Sequence, residues 1–169
     1  TVGGVSRTAT VGNDGSFTVT YAAAAVAGMA DGTIAVTADV SNDDGAATQS
    51  VAFAILDTAD PVVSQTTAVV TPNNDNTPNV IITSGEAGSL SYATCTFGSA
   101  TAGTIVASTA TTLTLDSNGA GGSLSDASYA SCKIRVTDAA GNIGSVTLST
   151  FVIDTTVATP SETTAVTAL

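Results

Sequence analysis

The segment Leu56-Asp57-Thr58, followed further on by Gln65-Thr66-Thr67-Ala68-Val69, returns as Ile153-Asp154-Thr155 followed by Glu162-Thr163-Thr164-Ala165-Val166. Both halves of the motif move by the same amount, 154 − 57 = 97 and 162 − 65 = 97. One offset shared by two separated halves marks an internal repeat, and a repeat decides the architecture before any single element does. Working outward, Asp31-Gly32-Thr33-Ile34-Ala35-Val36-Thr37 and a turn at Asn42-Asp43-Asp44-Gly45 precede the first marker. Asp126, then Cys132-Lys133-Ile134-Arg135-Val136-Thr137 and a turn at Asp138-Ala139-Ala140-Gly141-Asn142, precede the second.

Composition supports an all-β chain. Thr and Val are stiff at χ1 and fit pleated strands, while Gly, Asn and Asp supply the turns between them. Glu, Lys and Arg, the usual surface residues of helices, are nearly absent. Three basic residues stand against fourteen acidic ones, for a net charge of −11. That balance repels phosphate backbones and argues against a nucleic-acid partner. No run approaches the roughly 20 apolar residues of a membrane span. His is absent, which removes the usual general base, the commonest zinc ligand and every Ser-His-Asp or Cys-His arrangement. The expectation is a protein that is not an enzyme.

A 97-residue period is the size of an immunoglobulin-like β-sandwich, so the expected fold is a tandem of such repeats with the first one incomplete. Residues 1–56 form the C-terminal part of one repeat, 57–153 a complete repeat, and 154–169 a linker with the first strand of a following repeat. Seven strands are predicted in the complete repeat, at 62–70, 80–83, 90–97, 104–107, 111–115, 132–137 and 145–153. In the last strand Val146 and Leu148 are even-numbered but Phe151 and Ile153 odd. A one-residue slip exchanges faces, which predicts a bulge near Ser149 and Thr150. In the first repeat a Gly3-Gly4 turn, strands at 5–11, 16–21, 33–40 and 49–56, and either a helical turn or a packed loop over 22–30 are expected.

The runs Val11-Gly-Asn-Asp-Gly-Ser-Phe-Thr-Val-Thr20, Ala30-Asp-Gly-Thr-Ile-Ala-Val-Thr37 and Asp57-Thr-Ala-Asp-Pro61 resemble the immunoglobulin-like repeats of giant bacterial adhesins and biofilm-associated proteins. So do Val136-Thr-Asp-Ala-Ala-Gly-Asn142 and Ile153-Asp-Thr-Thr156. The resemblance spans nearly the whole chain. Linkers of that family often read Asp-Thr-Thr-Ala-Pro, whereas here they read Asp57-Thr-Ala-Asp-Pro61 and Asp154-Thr-Thr-Val-Ala-Thr-Pro160. The resemblance implies a spacing or mechanical role outside the cell, at the cell surface, often with calcium at the domain junctions. The partners are then neighbouring repeats of the same or an identical chain.

Cys95 and Cys132 fall on predicted strands that neighbour one another in such sandwiches, and an extracellular chain makes a disulfide between them the natural expectation. The parity of Leu90 and Tyr92 puts Cys95 on the opposite face, unless a bulge intervenes or Cys95 and Phe97 form the core set. Twelve of the fourteen acids are Asp, a hard oxygen ligand suited to Ca²⁺ as well as a turn cap. Strands that run alternately up and down bring Asp31 near Asp57, with Asp60, Glu86, Asp138 and Asn142 facing them from the next repeat. These six make a candidate calcium junction, and Asp126 with Asp154 make the second. The competing expectation is that each Asp caps its own turn.

Three roles compete. A structural spacer is favoured over a carbohydrate- or partner-binding module, because binding loops display exposed aromatics or Arg and the chain has no Trp, four Phe and three Tyr. The chain is expected to be an excerpt of a longer array. The remaining alternative is a filament subunit that donates residues 155–169 as a strand to another copy.

Overall fold

Runs of β-branched residues broken by Gly, Asn and Asp leave little room for helix, and a computed structural model of the chain is nearly all β. It describes residues 1–42, 44–46, 49–93, 103–117 and 121–161. The chain divides into two units, Thr1–Ala59 and Asp60–Leu169.

In the first unit, Gly3 and Gly4 both adopt positive φ, 51° and 84°. That backbone is open to glycine at little cost and closes a two-residue hairpin. Val2 and Val5 exchange backbone hydrogen bonds of 3.0 and 2.9 Å across it. A four-residue helix, α1 (Ala23–Val26), forms in the alanine-rich stretch. The strands are β1 (Gly32–Ala38), β2 (Ser41–Asn42), β3 (Gly45–Ala46) and β4 (Ser50–Leu56). β1 and β4 pair antiparallel from Gly32↔Leu56 to Ala38↔Ser50, and β2 pairs with β3 across the turn. Residues 5–11 and 16–21, expected as strands, form none. Only their connecting turn is made, by Gly12 N–H to the Ser16 carbonyl at 2.8 Å and Ser16 N–H to Asp14 Oδ1 at 3.0 Å. A strand exists by virtue of its ladder, and among the described residues no strand lies beside these two segments.

The second unit holds β5 (Val63–Thr67), β6 (Asn79–Ser84), β7 (Gly88–Ala93), β8 (Thr104–Ile105), β9 (Thr111–Thr114), β10 (Ala127–Tyr129), β11 (Lys133–Thr137), β12 (Ile143–Thr147) and β13 (Phe151–Ile153). They form a three-stranded sheet β5-β6-β9, a four-stranded sheet β12-β11-β7-β8 and the pair β10-β13. Every pairing between these strands is antiparallel. Alternation along the strands turns Val80, Ile82 and Leu113 inward from the first sheet and Ile105, Ile134 and Val136 from the second. With Leu115, Leu124, Cys132, Leu148, Phe151 and Ile153 they share one buried core. The fourth strand was expected at 104–107; it is shorter and lies on the edge of β7. At the start of the unit the chain runs close against β12: a Cβ on Gly144 would lie 1.7 Å from the Pro61 carbonyl oxygen, so that position admits glycine alone.

The expected bulge near Ser149 takes a different form. Lys133 pairs with Thr147 and Tyr129 with Phe151, so both strands advance four residues and no register is lost. Within the break the Leu148 N–H still bonds the Cys132 carbonyl at 2.8 Å, and Ser131 takes a positive φ of 59°. Both strands change the parity of their inward positions across the break, from Ile134 and Cys132 to the half-buried Tyr129 in one and from Leu148 to Phe151 and Ile153 in the other, and all of the fully buried ones join the same core. The Tyr129 ring stacks on Phe151 with centroids 5.1 Å apart.

Phe151 is 1% exposed and Phe53 is 71% exposed. Phe151→Ala is therefore expected to cost the second unit about 3–5 kcal/mol, and Phe53→Ala no more than about 0.5 kcal/mol in the first. Urea unfolding followed by amide exchange in each unit measures both.

Candidate functional site

The segment that leaves the last strand of each unit is tied back by one carboxylate. In the first unit Asp31, just before β1, accepts from Thr58: the N–H at 3.1 Å and the hydroxyl at 2.8 Å, both on Oδ1. In the second, Asp126, just before β10, accepts from Thr155 in the same way, the N–H at 3.0 Å and the hydroxyl at 2.7 Å. Thr156 adds its hydroxyl to Asp126 Oδ2 at 2.9 Å. The neighbouring acid repeats as well. Asp57 Oδ1 accepts the Ala59 N–H at 3.2 Å and Asp154 Oδ1 the Thr156 N–H at 3.1 Å. The strands beneath these clasps are in matching register, Gly32↔Leu56 in one and Ala127↔Ile153 in the other.

Asp31 and Asp126, two of the expected metal ligands, each accept a main-chain and a hydroxyl hydrogen bond in these clasps. Asp154 caps the turn that follows it. Asp60 accepts the Ile143 N–H at 3.2 Å and so fixes the entry of the chain against β12. Among the described residues none of these four belongs to a group of three metal-capable side chains. The missed signal was the spacing itself: the clasp partners are 27 residues apart in one unit and 29 in the other.

Of the remaining candidates, Glu86 lies in the turn between β6 and β7 and Asp138 in the turn after β11, both in the second unit, while Asp57 lies on the segment that leaves the first. Each offers a carboxylate oxygen, and these acids could hold a metal ion. Asp138 is itself rigidly placed. Its Oδ1 accepts the N–H groups of Ala140, Gly141 and Asn142 at 2.8, 2.7 and 2.9 Å. The Asn142 amide donates to its Oδ2 at 2.9 Å. Partial desolvation raises its pKa, but the Asn142 side chain and the three backbone donors outweigh that and hold it below the ordinary carboxyl value. Asn142 thus orients an acid. Of the two cysteines, Cys132 is buried in the core at 1% exposure, and Cys95 lies outside the described residues.

Asp126 also has a lowered pKa, chiefly from the Thr155 hydroxyl, then the Thr155 N–H and the Thr156 hydroxyl. A carboxyl with a depressed folded-state pKa stabilises the fold above its unfolded pKa and loses that contribution as pH falls through the folded one. The second unit is therefore expected to weaken progressively below about pH 4, and Asp126→Asn to flatten that acid limb. Denaturant midpoints from pH 7 down to pH 2.5 test this; unchanged slopes would contradict it.

Comparison of the chain with protein-family models, with curated proteins and with solved structures finds no match.

Proposed function

We propose that this chain is a non-catalytic spacer segment of a repetitive extracellular surface or matrix protein, built from tandem immunoglobulin-like repeats. One observation carries the reading: the Asp–Thr clasp recurs, bond for bond, over strands in matching register in both units. A feature that recurs at the exit of each unit belongs to the joining of modules. The three- and four-stranded sheets of the second unit, packed on one core, are in keeping with a sandwich repeat. A glycan array probed with the full chain is expected to show no specific binding; saturable capture by one glycan class would overturn the spacer role in favour of a lectin-like one.

Calcium is the ion proposed for Asp57, Glu86 and Asp138, since an all-oxygen donor set of hard carboxylates suits it, and a disulfide between Cys95 and Cys132 is proposed within the second unit. In support of the latter, no described cysteine is a free thiol. The loop-entropy model gives such a bridge roughly 3–4 kcal/mol. Thermal unfolding of the full chain tests both together. Added Ca²⁺ is expected to raise the melting temperature, Asp57→Ala to abolish that rise, and reduction to lower the melting temperature of the second unit. A chelator without effect would remove the ion from the proposal, and reduction without effect would remove the bridge.

A further inference from the structure

The last strands of the two units can be superposed residue by residue: Ile55 pairs with Thr33 as Val152 pairs with Ser128, and Leu56 pairs with Gly32 as Ile153 pairs with Ala127. Their outer edges differ. In the second unit the edge of β13 is covered by residues 71–73. The Val152 N–H donates to the Thr71 hydroxyl at 2.9 Å. The Asn73 N–H donates to the Val152 carbonyl at 2.9 Å, and the Asp154 N–H donates to the Asn73 carbonyl at 2.9 Å. The pairing of Asn73 with Ile153 is parallel. Upstream in the same segment, Gln65 Oε1 accepts the Ser149 N–H at 2.9 Å and its hydroxyl at 3.1 Å, and Val69 enters the core.

In the first unit β4 pairs only with β1 among the described residues. Opposed residues of an antiparallel pair alternate between bonded and non-bonded positions. Because Val152 turns its N–H and carbonyl outward, Ile55, at the same place in the register, does so too. The faces are uncovered as well. Ala54 is exposed and Leu56 half-buried, where their counterparts Phe151 and Ile153 are each 1% exposed. Ser50–Leu56 is also apolar on both faces, with Val51, Phe53 and Ile55 exposed at 50, 71 and 82%. Strands with near-continuous apolar sequence are those covered on both sides, and a bare edge of this kind is a template for another strand.

The geometry points to the outer edge of β4 as an acceptor for an extended strand of the kind seen at residues 65–73: the leading strand of a like repeat, uncharged, with a hydroxyl in the place of Thr71 and a backbone N–H in the place of Asn73. Recognition is by strand addition, parallel to β4, with main-chain bonds giving affinity and a Val69-like side chain entering beneath Ala54 and Leu56. The inference rests on the two units being copies of one module. Its failure would be separate from that of the spacer role, which the glycan array decides.

The test adds a synthetic peptide of residues 62–75 to the full 169-residue chain and follows amide exchange by residue. Saturable binding is expected, with exchange at the Ile55 amide slowed at least tenfold and that at Val152 unchanged. The same peptide N-methylated at Asn73 lacks one donor and leaves the folding of the chain untouched; it is expected to bind at least tenfold more weakly. A peptide of residues 156–169 carries Ala168 in the place of Thr71 and is expected to be weaker by a similar factor. No slowing at Ile55, slowing confined to Val152, or equal binding by a scrambled, the N-methylated or the 156–169 peptide would each overturn the assignment.

Discussion

The hydrogen-bonded pairing of β1 with β4 in the first unit, and of β10 and β11 with β13 and β12 in the second, is the constraint on which the rest of the structure depends. Backbone N–H and carbonyl groups must be paired wherever they leave water, and the register of this pair decides which side chains turn inward. In the second unit that register delivers Ile134 and Val136 to the core from β11, and Phe151 and Ile153 from β13. The carboxylates of Asp31 and Asp126 then lock the chain just past the end of the pair, by a main-chain and a hydroxyl bond each.

The two units show what the same pair does with and without an opposing sheet. In the second, β5, β6 and β9 cover it, and a core of fully buried aliphatic residues results. In the first, among the described residues, β1 has only the Thr1–Val5 hairpin on its free side: Val2 bridges Val36, and the Thr37 N–H bonds the Thr1 carbonyl at 2.9 Å. Side chains that alternate correctly remain half-exposed there, because alternation selects a face but cannot by itself supply what packs against it.

Much of the second unit was legible because its elements obey period two between recognisable turns. The predicted strands at 62–70, 80–83, 111–115 and 132–137 coincide with observed ones to within a few residues at each end; that at 90–97 begins as β7 and its far end lies outside the described residues, that at 145–153 is divided into β12 and β13, and that at 104–107 survives as Thr104–Ile105. β10 (Ala127–Tyr129) was invisible: three residues with two of them Ala and Ser carry no pattern, and the strand is defined only by its partner. In the first unit the strands at 5–11 and 16–21 had convincing alternation but no ladder. Of the candidate ligands, Glu86 and Asp138 both fall in turns of the second unit, as the predicted strand order foretells. The clasps of Asp31 and Asp126 were not legible, since an Asp that accepts from Thr carries no mark in the sequence until the Thr is placed.

The paired break in the second unit has a consequence for how its sequence can drift. A single inserted or deleted residue in one strand shifts every later pair and turns the remaining core residues outward. A break shared by both strands preserves every pair beyond it, as the Tyr129↔Phe151 register demonstrates. The corresponding strands of the first unit, β1 and β4, run through without such a break. A change of face can thus be gained or lost in matched steps, and the end of the strand, with the Asp126–Thr155 clasp, stays in place while the interior beneath it is redrawn.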